Sequence, residues 1–142
     1  MMIRIYFAGS IRGGREMAHA YQELIQMLQS FGQVFTEHIG DENAINLDFE
    51  NLSDKQIHDR DLEWIRSSDM MIAEVSVPSL GVGYEIARAI ELGKPVLGLY
   101  RKNSRHRLSA MISGCMEVRV MEYESLGMAR NLIEQYVSEY NE

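Results

Sequence analysis

Two hydrophobic periods take turns along this chain, and that alternation narrows the fold more than any other feature. Ile3, Ile5 and Phe7 interleave with Arg4, Tyr6 and Ala8, the period-two pattern of a strand that ends at Gly9-Ser10. Over residues 16–31 the apolar positions Met17, Ala20, Tyr21, Leu24, Ile25 and Leu28 recur every three or four, which predicts a helix that Gly32 can end. Residues 33–36 read as a short second strand. Ser53-Asp54-Lys55-Gln56 has the form of a capping box, Ser at the cap and Gln three later, opening a helix to about residue 67. A third strand over 69–75 is followed by an amphipathic stretch over 86–92 that stops at Gly93. Residues 96–100 are almost continuously apolar, as in a strand covered on both faces. A basic loop over 101–107 leads to a short helix at Leu108, Met111 and Ile112, a fifth strand at Val118 and Val120, and a final helix over 124–140. Strand and helix in alternation, joined by right-handed crossovers, specify an α/β fold. The expectation is a flavodoxin-like or Rossmann-like, doubly wound, five-stranded parallel sheet of order 2-1-3-4-5, with one domain spanning residues 1–142.

That order places the topological switch point between strands 1 and 3, where open α/β sheets bind their ligands. Two glycine-bearing turns then face one crevice. The first, Gly9-Ser10-Ile11-Arg12-Gly13-Gly14-Arg15, lacks both the Gly-x-Gly-x-x-Gly spacing of a dinucleotide loop and the Gly-Lys-Ser/Thr ending of a nucleoside-triphosphate loop. Backbone N–H groups at a helix start, a serine hydroxyl and an arginine fork suit a monophosphate instead, although a plain glycine turn with solvated arginines would read the same way. The second turn is Pro78-Ser79-Leu80-Gly81-Val82-Gly83-Tyr84-Glu85. Its two glycines would let backbone approach a ligand, Ser79 supplies a hydroxyl, and Glu85 is expected in the first helical turn, where the helix dipole favours a charged carboxylate. Many first-turn acids do no more than that.

Composition removes several classes. A formal net charge of −7 over 142 residues argues against broad binding to nucleic-acid polymers or anionic membranes, while leaving room for a small phosphate site. The single cysteine, Cys115, excludes an internal disulfide framework and fits a reducing, cytoplasmic setting. No apolar run approaches membrane-spanning length. His19, His38, His58 and His106 have no metal-ligand spacing, so no metal is assigned. A phosphoacceptor receiver domain does not fit: no acidic pair follows the first strand, and the third ends Ile72-Ala73-Glu74-Val75. Tyr6 is within reach of the crevice yet could be a packing residue, and Asp61, a helical acid among basic neighbours, has the look of a solvated face.

Taken together, Tyr6-Phe7-Ala8-Gly9-Ser10-Ile11-Arg12-Gly13-Gly14-Arg15, Thr36-Glu37-His38, Ile57-His58 with Asp61-Leu62, residues 76–85 and Leu108-Ser109-Ala110-Met111-Ile112 resemble the N-glycosidases of the nucleoside 2-deoxyribosyltransferase family. The resemblance runs in order over nearly the whole chain, with departures in the loop between Gly40 and Ser53 and in the last helix. It implies a cofactor-free and metal-free retaining hydrolysis of 2'-deoxynucleoside 5'-monophosphates to free base and 2-deoxyribose 5-phosphate. Glu85 would attack the anomeric carbon, Asp61 would serve as general acid and base, and the Tyr6 hydroxyl would orient Glu85 and crowd the 2' position. Ser10, Arg12, Ser79 and Ser109, with backbone at Gly13 and Gly14, would hold the phosphate. His38 and Glu37 are possible base-pocket residues. The family's serine that matches Ser109 enters from a neighbouring subunit, so the resemblance also implies a homodimer with composite sites. Base exchange between nucleosides is the nearest alternative, and a non-catalytic nucleotide sensor on the same fold is the other.

Overall fold

The computed structural model describes residues 2–11, 17–37 and 51–141. Its strands are β1 (Ile3–Ala8), β2 (Gly32–Phe35), β3 (Met70–Glu74), β4 (Val96–Arg101) and β5 (Val118–Tyr123). The α-helices among the described residues are α1 (Ala18–Gln29), α2 (Asp54–Ser67), α3 (Leu80–Glu91), α4 (Ala110–Ser113) and α5 (Leu126–Asn141). All strand pairs are parallel, and the order is β2-β1-β3-β4-β5, as the alternation required.

Strand parity sorts the core into two layers. Ile5, Phe7, Met70, Ile72, Leu97 and Leu99 face one way and pack with Leu24, Leu28 and Ile133 of α1 and α5. Tyr6, Ala8, Met71, Ala73 and Val96 face the other way, against Ile65 of α2 and Ile86 and Ala89 of α3. Every residue of β3 is buried, and each large apolar side chain so placed contributes about 1.5–3 kcal/mol through removal from water. The helices that will matter for chemistry, α2 and α3, therefore lie on one face beside the β1–β3 junction.

Several boundaries moved. Gly32 begins β2 rather than merely closing α1, and it pairs with Ile3 so closely that a Cβ there would stand 2.2 Å from the Ile3 carbonyl oxygen. Ser53 accepts from the Gln56 N–H at 3.2 Å and donates its own N–H to Gln56 Oε1 at 2.9 Å, the expected capping box. The larger change is at α3, which starts at Leu80 and so takes Gly81 and Gly83 into its first turn instead of leaving them in a loop. Gly93 closes that segment with φ +74°, a conformation that favours glycine. Residues 38–50, which include His38 and most of the loop between Gly40 and Ser53, and the turn residues Arg12, Gly13, Gly14 and Arg15 lie outside the described residues.

The end of β3 is tied down by a buried acid. Glu74 accepts from the Ser76 N–H at 2.7 Å, from Ser76 Oγ at 3.0 Å and from the Tyr123 hydroxyl of β5. Ser76 Oγ accepts in turn from the Arg101 N–H of β4 at 2.8 Å. Burial pushes the Glu74 carboxyl up, and these donors pull it back. The segment that carries Ser79 into α3 is thus bound to β4 and β5 before it leaves the sheet.

Candidate active site

A cavity of about 580 Å³ opens at the carboxyl ends of β1 and β3. Gly9, Ser10 and Ile11 after β1 form one side, and Pro78, Ser79, Leu80, Gly81 and Val82 at the start of α3 form another. The described part of the first turn, Gly9, Ser10 and Ile11, and the second turn share one crevice at the switch point. The third wall is a single face of α2, Asp54, Ile57, His58, Asp61 and Leu62, spaced i, i+3, i+4, i+7 and i+8. Glu37, just past β2, completes the lining with Tyr84 and Glu85 of α3.

Glu85 sits in the second turn of α3, not the first, because Ser79 is the N-cap: its Oγ accepts from the Val82 N–H at 3.3 Å. The helix dipole is therefore not what sets this carboxylate's charge. Burial dominates and raises the Glu85 pKa to about 7; the hydrogen bond from Tyr6 pulls it down, and nearby Glu37 pushes it up. The Tyr6 hydroxyl, buried beneath the cavity on β1, donates to Glu85 Oε2. Its own pKa is held well above the usual phenol value, first by burial and then by the Glu85 charge, so it remains a donor.

Asp61 is not on a solvated face. It is 4% exposed and lines the cavity, and Arg60 Nε meets its Oδ1 at 3.1 Å. Oxygens of Glu37, Asp61 and Glu85 lie within 4.8 Å of one another. Two full negative charges at such a spacing would repel by roughly 3 kcal/mol at an effective dielectric near 20, so ionising one of these carboxyls opposes ionising the next. The Glu37 carboxyl is likewise raised by burial, and Arg60 opposes that rise. A spacing of this kind could admit a cation, but Asp61 already faces Arg60 and Glu85 already accepts from Tyr6.

Of the remaining anticipated residues, Ser10 is buried on the cavity wall and Ser79 lies at its rim. Ser109 is not in this cavity. It caps α4, accepting from the Met111 N–H at 3.2 Å, and lines a neighbouring apolar groove with Pro78, Ser79, Leu80, Ile86 and Ile112. Arg12, Gly13, Gly14 and His38 fall outside the described residues. Sequence reasoning passed over His58 and Tyr84, whose Nε2 and Oη are 2.8 Å apart across the cavity mouth. The signal was the polar residues at helical spacing on α2, which mark a face turned to a site rather than to solvent.

The family model described as nucleoside 2-deoxyribosyltransferase matches residues 5–133. The 5-hydroxymethyl-dUMP N-hydrolase of Tetraodon nigroviridis is 50% identical over 113 residues, covering 79% of this chain and 80% of that protein. The protein of the same name from Danio rerio is 42% identical over 137 residues, covering 94% and 95%. Among solved structures, the CMP N-glycosidase of Clostridium botulinum superposes with a TM-score of 0.66 at 22% identity over 94% of this chain and 98% of that one, a likeness of fold.

Proposed function

The chain belongs to the nucleoside 2-deoxyribosyltransferase family, and on that premise we propose that it hydrolyses the N-glycosidic bond of 2'-deoxynucleoside 5'-monophosphates, 5-hydroxymethyl-dUMP among them. The observation that carries this reading is the Glu85 carboxyl on the cavity wall, hydrogen-bonded from behind by Tyr6 and faced by Asp61. In the first step Glu85 attacks C1', the C1'–N bond breaks, and its electron pair leaves with the nucleobase, which takes a proton from Asp61. In the second, Asp61 takes a proton from water, the hydroxide adds to C1', and the bond to Glu85 breaks. The products are free base and 2-deoxyribose 5-phosphate, with net retention at C1'.

The nucleophile must be ionised, and a pKa of about 7 leaves a substantial anionic fraction near neutrality. Donation from Tyr6 favours that anion and fixes which oxygen faces the sugar. The same ring, packed under the carboxylate, would crowd a 2'-hydroxyl and so favour deoxyribose. At the other end of the cavity, Ser10, Ser79 and the N–H groups of Leu80 and Gly81 that have no partner within the helix would receive the 5'-phosphate. Arg12 and the backbone of Gly13 and Gly14 would complete that cradle, while Glu37 and His38 would border the base.

A homodimer belongs to the same reading. Leu80 is 97% and Met111 82% exposed on the apolar groove that carries Ser109, a surface suited to a second copy that would bring its own Ser109 to the phosphate. With one free cysteine and no described helix long and apolar enough to cross a membrane, a cytoplasmic site of action fits. No metal, cofactor or nucleic-acid polymer enters the scheme.

Incubating the protein with a panel of deoxynucleosides and their 5'-monophosphates, with and without an acceptor base, tests the reading by chromatography of the products. Base release from monophosphates without an acceptor is expected. Transfer to the acceptor without net hydrolysis would make the protein a base-exchange enzyme, and tight binding with no turnover would make it a sensor.

A further inference from the structure

Arg60 and Asp61 are consecutive on α2, and consecutive helical residues project about 100° apart, so their side chains do not ordinarily meet. Here they do, with Nε 3.1 Å from Oδ1. The contact is possible because Arg60 does not extend into solvent. Its guanidinium carbon lies 4.5 Å over the ring of Trp64, one turn further along the helix, and that indole stacks in turn on Phe35 of β2 at 6.2 Å between centroids and 29° between planes. A platform of two aromatic rings therefore turns a cation back from the helix flank toward the cavity. Side-chain exposure is 22% for Arg60 and 5% for Asp61, so the pair is largely withdrawn from water, where such an interaction is strongest.

We infer that Arg60 is a positioning residue for the N-glycosidase reaction: held on Trp64, it ties Asp61 Oδ1 and leaves Oδ2 as the oxygen that exchanges a proton with the departing base. The inference rests on the proposed hydrolysis and assigns a cause to one of its steps. The guanidinium fixes the orientation of the Asp61 carboxyl and favours its charged form, the form that takes a proton from water in the second step. Among the described residues, the acids beside Asp61, Glu37 beyond β2 and Glu85 of α3, oppose its ionisation. His58, one turn back on α2, is engaged by Asp59 at 2.9 Å and Tyr84 at 2.8 Å. Arg60 also draws Glu37 toward its charged form, so one cation biases two of the three clustered acids. The sugar-facing Glu85 is left as the group whose charge depends on Tyr6.

The direct test is carbon-detected titration of the Asp61 carboxyl in the wild type, Arg60→Met and Arg60→Lys, alongside kcat and KM on a deoxynucleoside monophosphate. Arg60→Met keeps the aliphatic stem on Trp64 and removes the charge; Arg60→Gln gives the same readings should the methionine variant fold poorly. The expected result is an Asp61 titration about one unit or more higher without the guanidinium. It is joined by a kcat lower by roughly 10- to 100-fold, KM within about threefold, and partial recovery in Arg60→Lys. Identical Asp61 titrations in wild type and Arg60→Met would overturn the inference whether or not the protein turns over any nucleotide. A raised KM at unchanged kcat would overturn it too, by making Arg60 a substrate contact. A wild type that releases no base from any deoxynucleotide is a separate result, which defeats the hydrolase reading and leaves the titration to decide the pairing.

Discussion

Tyr6 and Glu85 stand 79 positions apart in the chain and share one hydrogen bond, from the phenol of a central strand to a carboxylate on the second turn of α3. Removing it has a definite sign. Tyr6→Phe deletes the interaction that pulls the Glu85 pKa down while leaving burial and the Glu37 charge, both of which push it up. The limb of the kcat/KM profile that lies near pH 7 in the wild type is expected to move upward by about one unit, because the anion loses a charge-assisted donor. Parallel pH–rate profiles check this, and discrimination against ribonucleotides in the same variant checks the crowding of the 2' position.

The raised Glu85 pKa also makes a statement about stability. A group whose folded-state pKa exceeds its unfolded value binds more protons when folded, so its contribution is fully present below about pH 4.5 and is lost as pH rises through about 7. Glu85→Gln, which is neutral throughout, should therefore stabilise the fold at pH 8 by about 3 kcal/mol and have little effect near pH 4. Urea unfolding at the two pH values reads the difference.

Ser79 caps α3 and stands at the proposed phosphate end of the cavity. Ser79→Ala should cost about 1 kcal/mol of stability through the lost cap. If the hydroxyl also meets phosphate, KM for a deoxynucleoside monophosphate should rise by about tenfold, as expected when one hydrogen bond to a charged group is lost. Ser79→Asp separates the roles, since it restores the cap and repels the phosphate: stability should return and KM should worsen.

Glu74 receives two donors from Ser76 and one from Tyr123 in the fully buried end of β3. Glu74→Ala leaves those donors unpaired and should destabilise by about 3 kcal/mol or more, whereas Tyr123→Phe removes one donor and should cost about 1–2 kcal/mol. Thermal unfolding of both variants checks the order.

The strand order was legible because a period of two and a period of 3.6 alternate cleanly from Ile3 to Val137, and parallel connections leave few topologies. The positions of the two switch-point turns followed from that order. Local chemistry hid more. Gly81 and Gly83, poor helix formers, made α3 seem to start late, yet the Ser79 cap and the burial of Val82 and Ile86 carry the helix through them. That one boundary moved Glu85 from the dipole's reach into an environment ruled by desolvation. Asp61 was obscured by Asp59 and Arg60 at its side, since nothing in a string of letters shows which member of Asp-Arg-Asp turns inward. Ile57, Leu62 and Ile65 fix that rotation, and the acid between them goes with the face they bury. The pairing of Arg60 with Asp61 depends on a stack involving Phe35, a contact made only by the tertiary fold.

Hydrolysis by this route passes through a transient bond between Glu85 and C1' of a phosphorylated deoxysugar. Mass spectrometry of the protein quenched during turnover of a slow, 2'-fluorinated deoxynucleoside monophosphate measures it most directly. The expected result is a mass increase equal to the fluorinated sugar phosphate less one water, mapped to the peptide bearing Glu85 and absent from Glu85→Gln. Release of base by the wild type with no adduct on that peptide, or with Glu85→Gln still active at the wild-type rate, would contradict it.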